Sequence, residues 1–323
     1  MERRLSFFIG ASDNLKTLNL SFLGYKIIGG SDQRELIQYL HKINMGSNLL
    51  QELKSDINYI QGATLEDIHG IVPINFRDVK DPNKKELKLL VQILRVIFDF
   101  DFSLALEPIL IKNGTHYDLN VCIIGSRQYN FFEKNSIRVS NWDNSKFKGV
   151  SIFLKKKWAF LNKKQSEYIR FSIENYIVSL NTEYASFKFL SLCSALEGFI
   201  NQAPEISFRL KRTISILVGK SPNEAQIIYL LLDDVYKLRS KITHGNRVDT
   251  GKIESYLPQL REITRRAIFE VIVFEIPSNE KLGEKINSLG FGDWKKIGNN
   301  KCSSKFYTEK SEILKSLFNG KSL

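Results

Sequence analysis

The spacing of apolar and polar positions changes character part-way along the chain. Arg4–Ile9 and Leu18–Ile28 carry strand-like apolar runs, separated by the polar stretch Ser12-Asp13-Asn14. Ser31-Asp32-Gln33-Arg34-Glu35 then opens a helix, in which Leu36, Tyr39, Leu40 and Ile43 recur at helical spacing. Asp81-Pro82 opens a second, because proline's missing N–H costs nothing in a first turn; Leu87, Leu90, Val91 and Leu94 give it an apolar face. At Phe98 the period falls to two: Phe98, Phe100 and Phe102 point one way, Asp99, Asp101 and Ser103 the other. Asn113-Gly114 lies between two apolar runs, the signature of a tight hairpin, and Tyr117, Leu119 and Val121 continue the alternation on the return strand. These patterns predict an α+β domain over residues 1–160.

Beyond Lys155-Lys156-Lys157 the period is helical throughout. One stripe is Ile169, Ile173, Tyr176, Ile177 and Leu180; the next is Phe189, Leu192, Cys193, Leu196 and Phe199, with Pro204 after it. Ser207–Val218 makes a shorter helix ending at Gly219. Ser221-Pro222-Asn223-Glu224 is a capping box opening a helix with apolar positions at Ile227, Ile228, Leu231, Val235, Leu238 and Ile242; Gly245 can end it in a left-handed cap. A last helix is expected from about Leu257 to Ile276, carrying Leu260, Ile263, Ala267, Val271 and Phe274 on one side. The expectation is an all-α bundle over residues 161–277, followed by a polar appendage over 278–323. The expected fold class is an α+β N-terminal domain followed by an all-α helical bundle.

Composition narrows the picture only a little. A hydrophobic share of 43% and a charged share of 25% exclude a disordered, collagenous or disulfide-framed chain. The net charge of +12 is spread over both halves with no basic tail, so an acidic partner is compatible with it and not required by it. Cys122, Cys193 and Cys302, odd in number and far apart, point to reduced thiols in a cytoplasmic protein, with Cys193 in the core. The N-terminus has no signal-like apolar stretch, and Leu89–Leu106 is broken by Arg95, Asp99 and Asp101, so no membrane span is expected. The Asn113-Gly114-Thr115 sequon is discounted on the same grounds.

The segment richest in chemistry is Val235-Tyr236-Lys237-Leu238-Arg239-Ser240-Lys241-Ile242-Thr243-His244-Gly245. With Ala195-Leu196-Glu197 and Phe208-Arg209 upstream, it resembles the R-x4-6-H signature of the HEPN superfamily, in its ApeA-like branch, over roughly residues 165–276. The resemblance implies a HEPN-like bundle and metal-independent RNA cleavage needing no cofactor. The helical pair would form a two-fold homodimer, and the 2′-hydroxyl would attack the adjacent phosphodiester to leave a 2′,3′-cyclic phosphate. Arg239 and His244 would be the catalytic pair, with Glu197, Ser240 and Thr243 supporting them and Arg209, Lys237 and Lys241 contacting RNA. Such architectures resemble toxins and anti-phage effectors, with a regulatory ligand or antitoxin as further partner. A tyrosine found two residues after the histidine in some HEPN toxins is Asn246 here, which argues against control by nucleotidylation.

The residue types suit the reaction. Histidine titrates near neutrality and can exchange a proton. Arginine stays charged and presents a planar fork to phosphoryl oxygens. Five helical steps separate Arg239 from His244 by about 140°, so one straight helix does not put them on one face. Against the catalytic reading stand plainer ones: Arg239 paired with Asp233 or Asp234, His244 as a helix-end cation, Glu197 in a structural ion pair. The alternative function is a non-catalytic HEPN module that binds nucleotide or RNA, or scaffolds a partner. A metal centre at Asp99, Asp101, His116 and Asp118 is a weaker reading, because alternating Asp beside alternating Phe is the pattern of a half-solvated strand. Lys155–Lys157 reads as a solvated linker able to steer RNA.

Overall fold

The computed structural model describes residues 3–9, 17–24, 34, 38, 68–74, 82–98, 103–104, 107–113, 116–122, 144–163, 166–200 and 205–289. The chain divides into two compact units, Met1–Lys156 and Lys157–Leu323.

In the first unit the proline-led helix forms as expected: α1 runs Pro82–Phe98 and buries Leu89, Leu90, Val91, Ile93, Leu94, Val96 and Ile97. Phe98 closes this helix, so the period-two alternation expected from Phe98 does not start there; Asp99–Phe102 lie outside the described residues. Of Leu18–Ile28, expected as a strand, the described part, residues 18–24, instead contains the 3-10 turn Ser21–Leu23. The Asn19 side chain accepts from the Ser21 N–H (2.9 Å), and Gly24 turns left-handed at φ 73°. These local bonds offer the backbone an alternative to a ladder. Of the helix expected from Ser31 only Arg34 and Gln38 are described; its stripe, Leu36 to Ile43, lies outside the described residues.

The α+β fold class expected for this half is therefore corrected. Among residues whose side chains are described, every regular element is helical, and the apolar core positions lie on α1, on α2 (Asn144–Leu161) and at Leu18 and Leu20. β1 (Arg3–Ile9) pairs antiparallel with β2 (Ile68–Ile74), β3 (Ser103–Leu104) and β4 (Glu107–Asn113). β4 pairs with β5 (His116–Cys122), Asn113 lying opposite His116. A sheet buried against helices, which an α+β domain requires, is not shown. Period-two spacing predicts local pairing, not what the sheet faces. The boundary expected at 160 falls inside α2, and Lys155–Lys157 are helical rather than a linker.

The second unit is a bundle. After the end of α2 come α3 (Glu167–Asn181), α4 (Ala185–Glu197), α5 (Ile206–Val218), α6 (Pro222–Thr243), α7 (Thr250–Val273) and α8 (Asn279–Leu289). α3 and α4 pair, α5 and α6 pair, and α7 packs on α3, α4 and α5. The expected stripes are the buried ones: Ile169, Ile173, Tyr176 and Ile177 on α3; Phe189, Leu192, Cys193 and Leu196 on α4. On α6 the buried face turns by one position, taking Leu232 where Leu231 was expected. The capping box forms: Ser221 Oγ accepts from the Glu224 N–H (3.1 Å), while Glu224 reaches past Ser221 to the Lys220 N–H (2.6 Å).

Two expectations about the end of the chain change. α7 begins seven residues before Leu257, capped by Asp249, whose carboxylate accepts from the Gly251 and Lys252 N–H groups (3.3 Å each). Pro258 sits inside this helix. The appendage expected after Pro277 begins with α8, which buries Leu282 and Ile286 at 0% and 1% exposure. No helix among the described residues is long and apolar enough to cross a membrane.

α7 is enclosed on all sides from Glu262 to Val273, and its charges go in with it. Arg265 pairs with Glu262 (2.6 Å), and Arg266 bridges Glu224 (3.0 Å) and the carbonyl of Val218 at the end of α5 (2.6 Å). Two other helix ends are met in the same way. Arg170 Nη2 donates to Leu161 O at the end of α2 (3.0 Å), and Lys157 Nζ donates to Val273 O at the end of α7 (2.8 Å). Such cations satisfy orphan carbonyls and oppose the negative end of the helix dipole. Removing one partner of a buried pair strands the other, at about 3–5 kcal/mol. Arg266→Ala is expected to lower unfolding stability by about 3 kcal/mol or more in urea titration. Exposed Lys281→Ala should stay within about 0.5 kcal/mol of wild type.

Candidate functional site

The site is built where α4 ends against the middle of α6. Glu197 is the last residue of α4, and Tyr236 and Arg239 lie three apart on α6, hence on one face. Arg239 Nε stands 2.8 Å from Glu197 Oε1, and Nη2 donates to Oε2 at 3.2 Å. The Tyr236 hydroxyl donates to Glu197 Oε1 at 3.1 Å, and the guanidinium lies over the Tyr236 ring at 5.9 Å. The carboxylate thus grips the side edge of the guanidinium. The other edge, formed by Nη1 and the second hydrogen of Nη2, takes no partner among the described residues.

Arg239 stands beside open space. An open groove of about 450 Å³ is lined by Glu197, Ile206, Ser207, Tyr236, Lys237 and Arg239, together with Asp233 and Ser240. The side chains of Glu197 and Arg239 are 26% and 32% exposed, enough for solvent and ligand to reach them. Behind them Cys193 is fully buried; burial first, then the Glu197 charge, pushes its thiol far above the ordinary range, so it is inert packing and not a nucleophile. Burial also pushes the Tyr236 hydroxyl up, followed by the nearby Cys193 and Glu197, so it serves as a fixed donor to Glu197. Asp233 is held below the usual carboxylate range by hydrogen bonds from Lys211 and then Lys237; Lys211 also lies 5.2 Å from the Tyr229 ring centroid.

The residues named from sequence fall into two groups. Arg239, Glu197, Ser240 and Lys237 share the groove, Lys237 being paired with Asp233 at 2.6 Å. His244, Thr243, Lys241 and Arg209 do not line it. Thr243 Oγ1 donates to the carbonyls of Arg239 and Ser240 (3.0 Å each), tying down the last turn of α6. Lys241 is exposed, and Arg209 lines a different cavity. His244 is the C-cap of α6, its exposed imidazole without a partner among the described residues. Arg239 pairs with Glu197, not with Asp233 or Asp234. Sequence reading gave Tyr236 no role, although its i, i+3 spacing from Arg239 was a usable sign; no local sign points to Lys211–Asp233. Asp99 and Asp101 lie outside the described residues, and among the described residues no three potential metal ligands cluster.

The position of His244 follows from the helix stop. Gly245 donates to Ile242 O (3.1 Å) and Asn246 to Lys241 O (3.0 Å), the paired bonds of a Schellman cap, with Gly245 left-handed at φ 72° as its sequence suggested. A Cβ at Gly245 would meet nothing within 4 Å, so substitution there costs conformation alone. Gly245→Ala should therefore destabilise by about 1 kcal/mol and Gly245→Asn by less, measured by urea unfolding. No known family, characterised protein or solved structure matches the chain.

Proposed function

We propose that the chain is a metal-independent endoribonuclease of the HEPN type, acting in the cytoplasm as a toxin or anti-phage effector. The observation that carries this reading is the side-on hold of Glu197 on Arg239, which orients a guanidinium lining an open groove and leaves its other edge without a partner among the described residues. A fork so held meets two phosphoryl oxygens with little reorganisation, which is the requirement for stabilising charge that develops at phosphorus. Lys237 on the same groove is matched by Asp233, so the attraction for a polyanion falls to Arg239.

In the proposed reaction a His244 imidazole takes the proton of the 2′-hydroxyl, and the freed oxygen attacks phosphorus. Arg239 holds the non-bridging oxygens, and the 5′-oxygen leaves with a proton from a second acid. The products are a 2′,3′-cyclic phosphate and a 5′-hydroxyl. His244 at the exposed cap and Arg239 in the groove are separated around α6, so we assign the His244 that acts at each Arg239 groove to the two-fold related copy, and the second acid to a solvent water. A regulatory ligand or an antitoxin would hold such an enzyme in check. The placement of His244 outside the groove favours one other reading, a module that binds RNA through Arg239 without cutting it.

Incubation of the purified protein with total RNA in EDTA should yield fragments ending in cyclic phosphate. Intact RNA alongside retained RNA binding would move the assignment to the binding module. Arg239→Ala and His244→Ala should each lower cleavage by about 10²-fold or more with unchanged circular dichroism. Mixing the two inactive variants should restore part of the activity if groups from two copies share a site, whereas no recovery would place both groups in one chain.

A further inference from the structure

A second cavity, about 460 Å³, lies between α5 and α8. Its two walls carry opposite charge: Arg209 and Arg212 on α5, Glu280 and Glu284 on α8. Among the described residues no ion pair closes the gap between them. Arg212 instead bonds the amide of Asn287 (2.8 Å), and Glu284 holds its own neighbour Lys281 (2.7 Å). Half-exposed Phe208 adds an apolar surface, with Phe199, 1% exposed, behind it, and Gly283 leaves the α8 wall bare at its middle, where a Cβ would meet nothing within 4 Å.

The cavity and the Arg239 groove share one short piece of chain. Glu205, Phe208 and Arg209 line the cavity, while Ile206 and Ser207, between them, line the groove. Glu205 leads into α5 in the left-handed region at φ 68°, a conformation that costs a non-glycine residue about 1–2 kcal/mol. The first turn of α5 is thus a strained partition between two open spaces.

We propose that the cavity binds a small zwitterion of the α-amino-acid class with a large apolar side chain, and that its occupancy sets the first turn of α5 and thereby the Arg239 groove. Arg209 and Arg212 take the carboxylate, Glu280 and Glu284 the ammonium, and Phe199 and Phe208 the side chain. A polyanion would be repelled by the α8 wall and a simple cation by the α5 wall, whereas a ligand bearing both charges satisfies both. The volume lies within the range of small-molecule sites. The coupling rests on the proposed RNA chemistry of the groove; the binding does not.

The test titrates the full-length protein with each free amino acid at about 10 mM and reads thermal unfolding, since a ligand that binds only the folded state raises the midpoint. Large apolar or aromatic amino acids should raise Tm by a few degrees, about what tight occupancy gives a chain of this size. The rise should vanish in Arg209→Ala and in Glu280→Gln. No rise with any amino acid, or a rise that survives both variants, would overturn the site, and a rise with nucleoside monophosphates that needs the same residues would overturn the ligand class. The amino acid that binds should then change RNA cleavage about fivefold or more, the usual lower range of coupling between sites. Should wild type cut no RNA, the same change is sought in its affinity for a 2′-O-methyl RNA. Binding with neither change would overturn the coupling while leaving the site in place.

Discussion

Glu197 ends α4, so its carboxylate stands at the negative end of that helix's dipole, where an anion is unfavourable unless something answers it. Arg239 and Tyr236 supply the answer from α6. The arrangement of the groove depends on this one requirement. It joins the α3–α4 pair to the α5–α6 pair, sets the guanidinium over the Tyr236 ring, and leaves one edge of the fork without a partner among the described residues. A surface ion pair of this exposure contributes little stability. Its consequence is geometric: a long, flexible side chain is held in one orientation beside an open space.

The same device recurs through the bundle. Arg170, Arg266 and Lys157 each donate to the last carbonyl of a helix, at Leu161, Val218 and Val273. Part of the +12 charge is thus directed inward, at helix ends, and is not available to attract a polyanion. Among the cations named from sequence, Lys237 is matched by Asp233, and Arg239 is matched on one edge only. The case for nucleic acid rests on that half-matched arginine and not on bulk charge.

Much of the bundle was legible because it follows from burial and capping. The stripes Ile169–Ile177 and Phe189–Leu196, the Ser221 cap and the Gly245 stop each reflect a local rule that packing did not override. The start of α7 was not legible: the apolar stripe begins only near Leu257, yet Asp249 caps the helix earlier and exposed Pro258 is carried inside it. Nor did period predict that α7 would bury Glu262, Arg265, Arg266 and Glu270, because their partners come partly from α5 and α6. In the first unit, alternation anticipated strand pairing in places but not burial, and Phe98, read as the head of a strand, is the last residue of α1. At the site, spacing separated Arg239 from His244 around a straight helix, and of the two only Arg239 lines the groove; it left Glu197 undecided, since a contact 42 residues away has no periodic signature.

The central claim is that Glu197 serves phosphoryl recognition by orienting Arg239, although it is itself an anion beside the proposed anion site. The affinity of a non-cleavable 2′-O-methyl RNA for wild type and for Glu197→Gln tests it most directly, because charge and orientation act in opposite directions. Removing a negative charge from the groove should strengthen RNA binding on electrostatic grounds alone. If the side-on hold governs, Glu197→Gln binds more weakly than wild type, and Arg239→Lys, which keeps the charge and loses the fork, weakens likewise. Tighter binding by Glu197→Gln would show that the carboxylate competes with RNA, and would contradict the account.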